Sequence, residues 1–357
     1  MGKPIPGQYI VTLNAGEKPR SVAAIAHVDP TYVYESALVG FAAKLNDGQL
    51  NALRQNKAVK AIEQDQVVTA VASFVTQSIG SAGQPWGIDR IDQRSNLSRT
   101  YTYWSNAGYG VRAYIIDSGI ATANTDFAGR ATNVYDAFGG NGQDCYGHGT
   151  HVAGIVGGAR YGVAKRVTLL GVKVLDCNNR GTTAAIIAGV DWVRANAIKP
   201  AVANISIGCG PTACVSTAEN TAVTNLVNSG VFVAVAAGNY NVDACTSSPG
   251  SAAGTITVAS ADWYDTKAQD SNWGQCVDLY APGVNVTSDW LSGQVNTISG
   301  TSMASPHVAG VAALLKGDYG DQTSSTIASW ILAKATINVI RANHTGTPNR
   351  LLFMSGW

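Results

Sequence analysis

The chain has 357 residues, of which 46% are hydrophobic and 13% charged, and its formal net charge is +1. That length can bury a large core, with room for one large and one small domain, and the composition excludes a disordered polymer. The near-neutral balance offers no footprint for nucleic acid or an anionic bilayer. The longest apolar run, Val308 to Leu315, is too short to span a membrane, so neither partner is expected.

In chain order, GQYIVTL alternates like a strand, and PRSVAAIAHV reads as a helix with Pro19 in its first turn. TYVYESALVGFAAKL predicts two strands broken near Gly40. Asn46 or Asp47 then caps a helix in GQLNALRQN, and AVKAIEQDQVV returns as a strand. The order β-α-β-β-α-β predicts a small α+β, ferredoxin-like domain over residues 1–72. Residues 73–84 have the Ser, Gly and Gln content of a linker, or of a new N-terminus, so the domain boundary is placed there.

From Trp86 onward the pattern changes. VRAYIID, VTLLGVKVL, AVANISIG, VFVAVAAG and TITVASA are short, apolar and bounded by Gly, Asp or Asn. Helical stretches such as TTAAIIAGVDWVRAN and TAENTAVTNLVNSG separate them. Near-continuous apolar strands alternating with helices predict an α/β fold, a doubly wound and mostly parallel sheet covered on both faces. Ligands bind such sheets at the carboxyl ends of the strands, so functional residues are expected to follow strands.

The six cysteines form no C-x-x-C, which removes zinc-ribbon and thioredoxin-type motifs. An even count in a Gly- and Ser-rich chain favours disulfides and an oxidising compartment. The opening MGKPIPGQYIVTL has no charged segment followed by an apolar one, so the expectation is a secreted protein whose signal peptide has been removed.

Three stretches satisfy the strand-end rule: YIIDSG with Asp117, AVAAGN with Asn239, and ISGTSMASPHVAGVAALLK with Ser302 at the start of a helix. A serine hydroxyl becomes a nucleophile only when a base takes its proton, and an imidazole fixed by a buried carboxylate suits that task. The Ser302 N–H, among the unpaired donors of a helix start, and the Asn239 amide could hold an oxyanion. His148 and His151 lie together in DCYGHGTHVAG. Three readings compete there: a metal cluster of Cys145, His148 and His151, a general base on a helix start, or two buried packing histidines. Taken singly, Asp117 reads equally well as a turn residue, Asn239 as a loop asparagine and Ser302 as an N-cap.

The strings DSG around Asp117, GHGTHVAG around His148 and GTSMASPHVAG around Ser302 resemble, in that order, the signature blocks of the subtilisin-like serine proteases. PWGIDRIDQR, VLDCNNRGT and PNRLL are similar to the proteinase K and aqualysin branch, and YIVTL, GFAAKL and IEQDQVV to that family's inhibitory prodomain. The resemblance implies a self-processing serine endopeptidase acting on polypeptides through Asp117, His148 as general base and Ser302 as nucleophile. Asn239 and the Ser302 N–H would form the oxyanion hole. His151 and His307 are then structural.

The resemblance further implies substrate contacts along Asn178, Asn179, Arg180 and Gly181 and along Ser206, Ile207 and Gly208. Ala236, Ala237 and Gly238 would wall a pocket for an aromatic or large aliphatic residue. It implies disulfides Cys145–Cys177 and Cys245–Cys276, with Cys209–Cys214 as the remaining pair. Structural calcium would sit at Asp278 with the carbonyls of Ala253 and Thr255, and a second ion at Asp89, Asp92 and Gln93. Cleavage is expected at Ala72–Ser73, releasing a prodomain that inhibits its own enzyme, and the enzyme is expected to be a monomer.

Two rival functions compete with this reading. An α/β-hydrolase esterase requires G-x-S-x-G and the order Ser, Asp, His, whereas this chain has GTSMA and the reverse order. A catalytically inert homologue acting as a binding protein would be expected to lack one of Asp117, His148, Ser302 or Asn239, and all are present.

Overall fold

The computed structural model describes residues 3–36, 38–67, 74–80, 84–208, 210 and 214–354. The chain separates into two compact units, Met1–Val71 and Ala72–Trp357. Ala72, Ser73 and Cys209 lie outside the described residues.

The first unit runs β1 (Lys3–Leu13), α1 (Pro19–Ile25), β2 (Tyr32–Tyr34), β3 (Gly40–Lys44), α2 (Asp47–Gln55) and β4 (Val59–Val67). Its strands form an antiparallel sheet in the order β2-β3-β1-β4. Val11, Leu13, Phe41 and Ala43 alternate onto one face, where they pack with Val22, Ala23, Leu50 and Leu53 of the two helices. Helix α2 starts with a closed capping box. The Gln49 N–H donates to Asn46 Oδ1 at 2.9 Å, and the Asn46 N–H donates back to Gln49 Oε1 at 3.1 Å.

The second unit begins with a strand where a linker is expected. Phe74–Ser78, read as linker, is a strand, β5, paired antiparallel with β6 (Thr100–Trp104). Phe74, Val75 and Thr76 are β-favouring residues, and the Ser, Gln and Gly around them mask the strand in the sequence. Helix α3 (Trp86–Ile91) lies between them, fully buried.

Then follow β7 (Arg112–Asp117), β8 (Ala131–Asp136), α4 (His148–Gly157), β9 (Thr168–Lys173), α5 (Thr183–Asn196), β10 (Ala201–Ile205), α6 (Thr217–Asn228), β11 (Phe232–Ala236), β12 (Ile256–Ala261) and β13 (Leu279–Pro282). The hairpin β14 (Val286–Asp289) and β15 (Val295–Ile298) precedes α7 (Thr301–Tyr319), α8 (Ser324–Lys334), β16 (Thr336–Ile337) and β17 (Arg350–Leu351).

Nine strands form one sheet, β16-β17-β13-β12-β11-β10-β7-β9-β8, parallel except where β16 meets β17. Along β7 the pleat sends Ala113 and Ile115 to the core under α4 and α7, and Tyr114 and Ile116 to the core under α5 and α6. This is the doubly wound sheet expected from the apolar strands. Strand β13, at four residues, was too short to stand out in the sequence.

Helix α4 sits close to the end of β7. A Cβ at Gly149 would come within 2.2 Å of the Gly119 carbonyl oxygen and 3.2 Å of Asp117 Cβ. Gly149→Ala must therefore push α4 off the strand end. The expected cost is about 2 kcal/mol of stability with a loss of activity, read by denaturant unfolding and peptide hydrolysis. A stable, fully active Gly149→Ala would contradict the packing described.

Candidate active site

Asp117 is the last residue of β7 and has no exposed surface. Its Oδ1 accepts from the Ser118 N–H and meets His148 Nδ1, both at 2.7 Å. His148 is the first residue of α4, and a second buried carboxylate locks that turn. Asp144 accepts from the N–H groups of Tyr146, Gly147 and Thr150 and from the hydroxyls of Ser118 and Thr150. Burial opposes charging of His148, but the Asp117 charge and hydrogen bond outweigh it, and the imidazole is pushed above its ordinary 6.5.

Ser302 is the second residue of α7, so its N–H is among those without an intrahelical acceptor. Its hydroxyl donates to the Ser206 carbonyl at 3.2 Å, while the Ser206 hydroxyl donates to the Ser302 carbonyl at 2.9 Å. Asn204, buried in β10, donates to Ser206 Oγ at 2.8 Å and accepts from the Ser305 hydroxyl at 2.7 Å. This chain of polar contacts ties the tail of β10 to the first turns of α7.

Asn239 follows β11, and its Oδ1 accepts from both the N–H and the hydroxyl of Thr301, each at 2.8 Å. The carbonyl end is thereby fixed and the NH₂ end is left for the cleft. Gly300, at φ +150°, lets the chain pass beside that amide, since a Cβ there would lie 3.1 Å from Asn239 Nδ2.

His148, Asn239 and Ser302 line one cleft of about 540 Å³. Asn179, Arg180, Gly181, Ser206, Ile207, Gly208, Ala236 and Gly238 line it too. Two of the expected contact residues stand apart. Ala237 is wholly buried, with its carbonyl turned to accept from Asn272 Nδ2, and Asn178 is at an exposed turn where its N–H donates to Asp176. Sequence reasoning missed Leu175, Thr183, Ile186 and Glu219 on the cleft wall. It also missed Asn272, whose Oδ1 accepts from the N–H groups of Tyr240 and Val242 and so holds the loop after Asn239.

His151 and His307 line no part of this cleft. His151 Nε2 donates to the carbonyls of Val286 and Asn296 at 3.1 Å, and His307 Nδ1 donates to that of Met303 at 2.8 Å. Burial lowers both to about 4. Cys145 is bonded to Cys177, which removes it from any cluster with the two histidines, and Cys245 is bonded to Cys276.

At the expected calcium positions, Asp278 Oδ2 accepts from the Thr257 N–H at 2.8 Å, and burial raises its carboxyl. The Ala253 carbonyl accepts from the Thr224 hydroxyl. Asp89 accepts from the N–H groups of Ser98 and Arg99, and Asp92 from that of Thr102. Gln93 donates to Asp92 and Ser98. Burial, with the Asp89 charge adding to it, pushes Asp92 up to about 7 despite these hydrogen bonds. Among the described residues no three Asp, Glu, His or Cys side chains converge as a metal cluster.

Comparison with known proteins agrees with this architecture. The family model described as Subtilase family matches residues 108–357, and that described as Peptidase inhibitor I9 matches residues 8–70. The chain is similar to the extracellular serine proteinase of Thermus sp. (strain Rt41A), 49% identical over 90% of this chain and 77% of the relative. It is 39% identical to proteinase R of Parengyodontium album over 99% of this chain and 90% of the relative. A solved cold-adapted subtilisin-like serine proteinase superimposes with a TM-score of 0.73 at 45% identity, covering 76% of this chain and 98% of that one. The class these findings define is a serine endopeptidase. The chain belongs to the subtilase family and carries an I9-type inhibitor domain at its N-terminus.

Glu219, the unexpected carboxylate of the cleft, is 4% exposed, and burial pushes it up to about 7 from 4.5. The folded state therefore holds its proton more tightly than the unfolded one. Stability from this group is present below pH 4.5 and lost as the pH rises through about 7. In an inactive Ser302→Ala background, Glu219→Gln should gain on its parent by up to about 3 kcal/mol between those pH values. Urea unfolding at both ends measures it, and a pH-independent difference refutes it.

Proposed function

We propose that Ser302, His148 and Asp117 carry out the peptide hydrolysis of this endopeptidase. The observation that carries the reading is the 2.7 Å contact between His148 Nδ1 and Asp117 in a cleft that Ser302 and Asn239 also line. The Asp117 carboxylate holds the proton on Nδ1, which leaves Nε2 as the base. When substrate binds, the Ser302 hydroxyl turns from the Ser206 carbonyl to Nε2, gives up its proton and attacks the scissile carbonyl carbon. The oxygen, now negative, receives hydrogen bonds from the Ser302 N–H and Asn239 Nδ2. His148 returns the proton to the departing amine, and water repeats the sequence on the acyl-enzyme.

The substrate is an extended polypeptide laid against Asn179–Gly181 and Ser206–Gly208, with the residue before the scissile bond entering the space beside Ala236 and Gly238. An aromatic or large aliphatic residue suits that space. Ala72–Ser73 is the proposed self-cleavage site, and the I9-type domain then acts on its own enzyme as inhibitor. That the Thermus relative is named an extracellular proteinase, together with the disulfides Cys145–Cys177 and Cys245–Cys276, supports secretion. Among the described residues no helix is long and apolar enough to cross a membrane. We take the working form to be a monomer.

A fluorophosphonate probe should label wild type and fail on Ser302→Ala, which should also accumulate as an uncut chain; labelling of the variant would exclude Ser302. Hydrolysis requires neutral His148, so kcat/KM should rise with pH through a midpoint above 6.5, because Asp117 raises the imidazole. Asp117→Asn should move the midpoint down. A midpoint unmoved by that change refutes the pairing.

Calcium is the proposed structural ion. Asp278 with the carbonyls of Ala253 and Thr255, and Asp89, Asp92 and Gln93, supply the oxygen donors that this ion takes. Chelation should lower the unfolding temperature, and Asp278→Ala should remove part of that response. Identical chelator sensitivity in the variant would take Asp278 out of the site.

A further inference from the structure

Ser216-Thr217-Ala218-Glu219 has the S-x-x-E form of a helix-capping box, and half of it is built. The Glu219 N–H donates to Ser216 Oγ at 3.2 Å. The return bond, from the Ser216 N–H to the glutamate, is not made, because that N–H donates to Ser248 Oγ at 2.9 Å. In α2 the same motif closes both ways. Glu219 has lost its capping role to Ser248. Among the described residues its carboxyl accepts no hydrogen bond and joins no ion pair.

Glu219 is part of the cleft wall, together with Leu175, Thr183, Ile186 and Ile207. Arg180, also on the wall, is exposed and forms no ion pair with it. A charged group nine-tenths buried without a partner is costly, and in a ligand cleft the missing partner can come with the ligand.

We propose that Glu219 is a specificity-determining residue, and that its subsite takes a lysine or arginine side chain from the part of the polypeptide substrate preceding the scissile bond. The inference rests on the reading of Ser302 as the nucleophile. The methylene stem of Lys or Arg packs on Leu175, Ile186 and Ile207, and the cation meets the carboxylate in a charge-assisted hydrogen bond. A norleucine side chain fills the same apolar space but seals the carboxyl off unpaired, and an acidic side chain is repelled. The pocket for the residue at the scissile bond is beside Ala236 and Gly238, so this selection acts in addition to it.

The test is a positional scan with acylated hexapeptides that carry lysine or norleucine, in turn, at each of the five positions before the scissile bond. Wild type should prefer lysine at one position by about 10- to 100-fold in kcat/KM. Glu219→Gln should abolish that preference and Glu219→Leu should reverse it, with fluorophosphonate labelling rates kept in both. No lysine preference at any position overturns the proposal, and so does a preference that survives Glu219→Gln. If Ser302→Ala hydrolyses the peptides as fast as wild type, the Ser302 reading itself falls, and that result is distinct from hydrolysis without selection.

Discussion

Asp117 is a carboxylate with no surface in contact with solvent, and a protein interior tolerates such a group only where donors meet it. The donors here are the Ser118 N–H, as the chain leaves β7, and the imidazole of His148 at the first turn of α4. Both exist because a parallel sheet delivers its strand ends to one edge and helices begin near that edge. Both donors meet Oδ1, so moving the histidine would leave that oxygen with the Ser118 N–H alone. The close approach at Gly149 and the five donors on Asp144 hold α4 in the required place.

The other side of the cleft is held by polar groups that have given up solvent. Asn204, Ser206 and Ser305 link β10 to α7, Thr301 aims the Asn239 amide, and Asn272 fastens the loop beyond it. Each is held by a specific partner, so the Asn239 amide and the start of α7 stand in fixed positions. Pre-arranged dipoles of this kind need no reorganisation when charge develops, which is where such sites derive most of their effect.

Glu219 stands apart from the tied polar groups around Ser302 and Asn239: among the described residues its carboxyl has no hydrogen-bond or ion-pair partner. Membership in the subtilase family accounts for the sheet and the helices, but not for an unpartnered glutamate on a cleft wall with Leu175, Ile186 and Ile207. Its state follows from competition for one N–H, that of Ser216, which Ser248 wins.

What the sequence determined by itself was the layout. Strand period, helix period and the order Asp117, His148, Ser302 were legible because they depend on local spacing and on short strings with strong steric demands. The strand at Phe74–Ser78 was not legible, because its reason for being a strand is β6, more than twenty residues away. Nor could spacing distinguish Ala236 and Gly238, which face the cleft, from Ala237, which turns its carbonyl to Asn272. Glu219 reads in the sequence as an ordinary capping residue. Only the fold, by bringing Ser248 to the start of α6, left that carboxylate to the cleft, since a hydrogen bond between residues far apart in the chain leaves no mark on the local pattern.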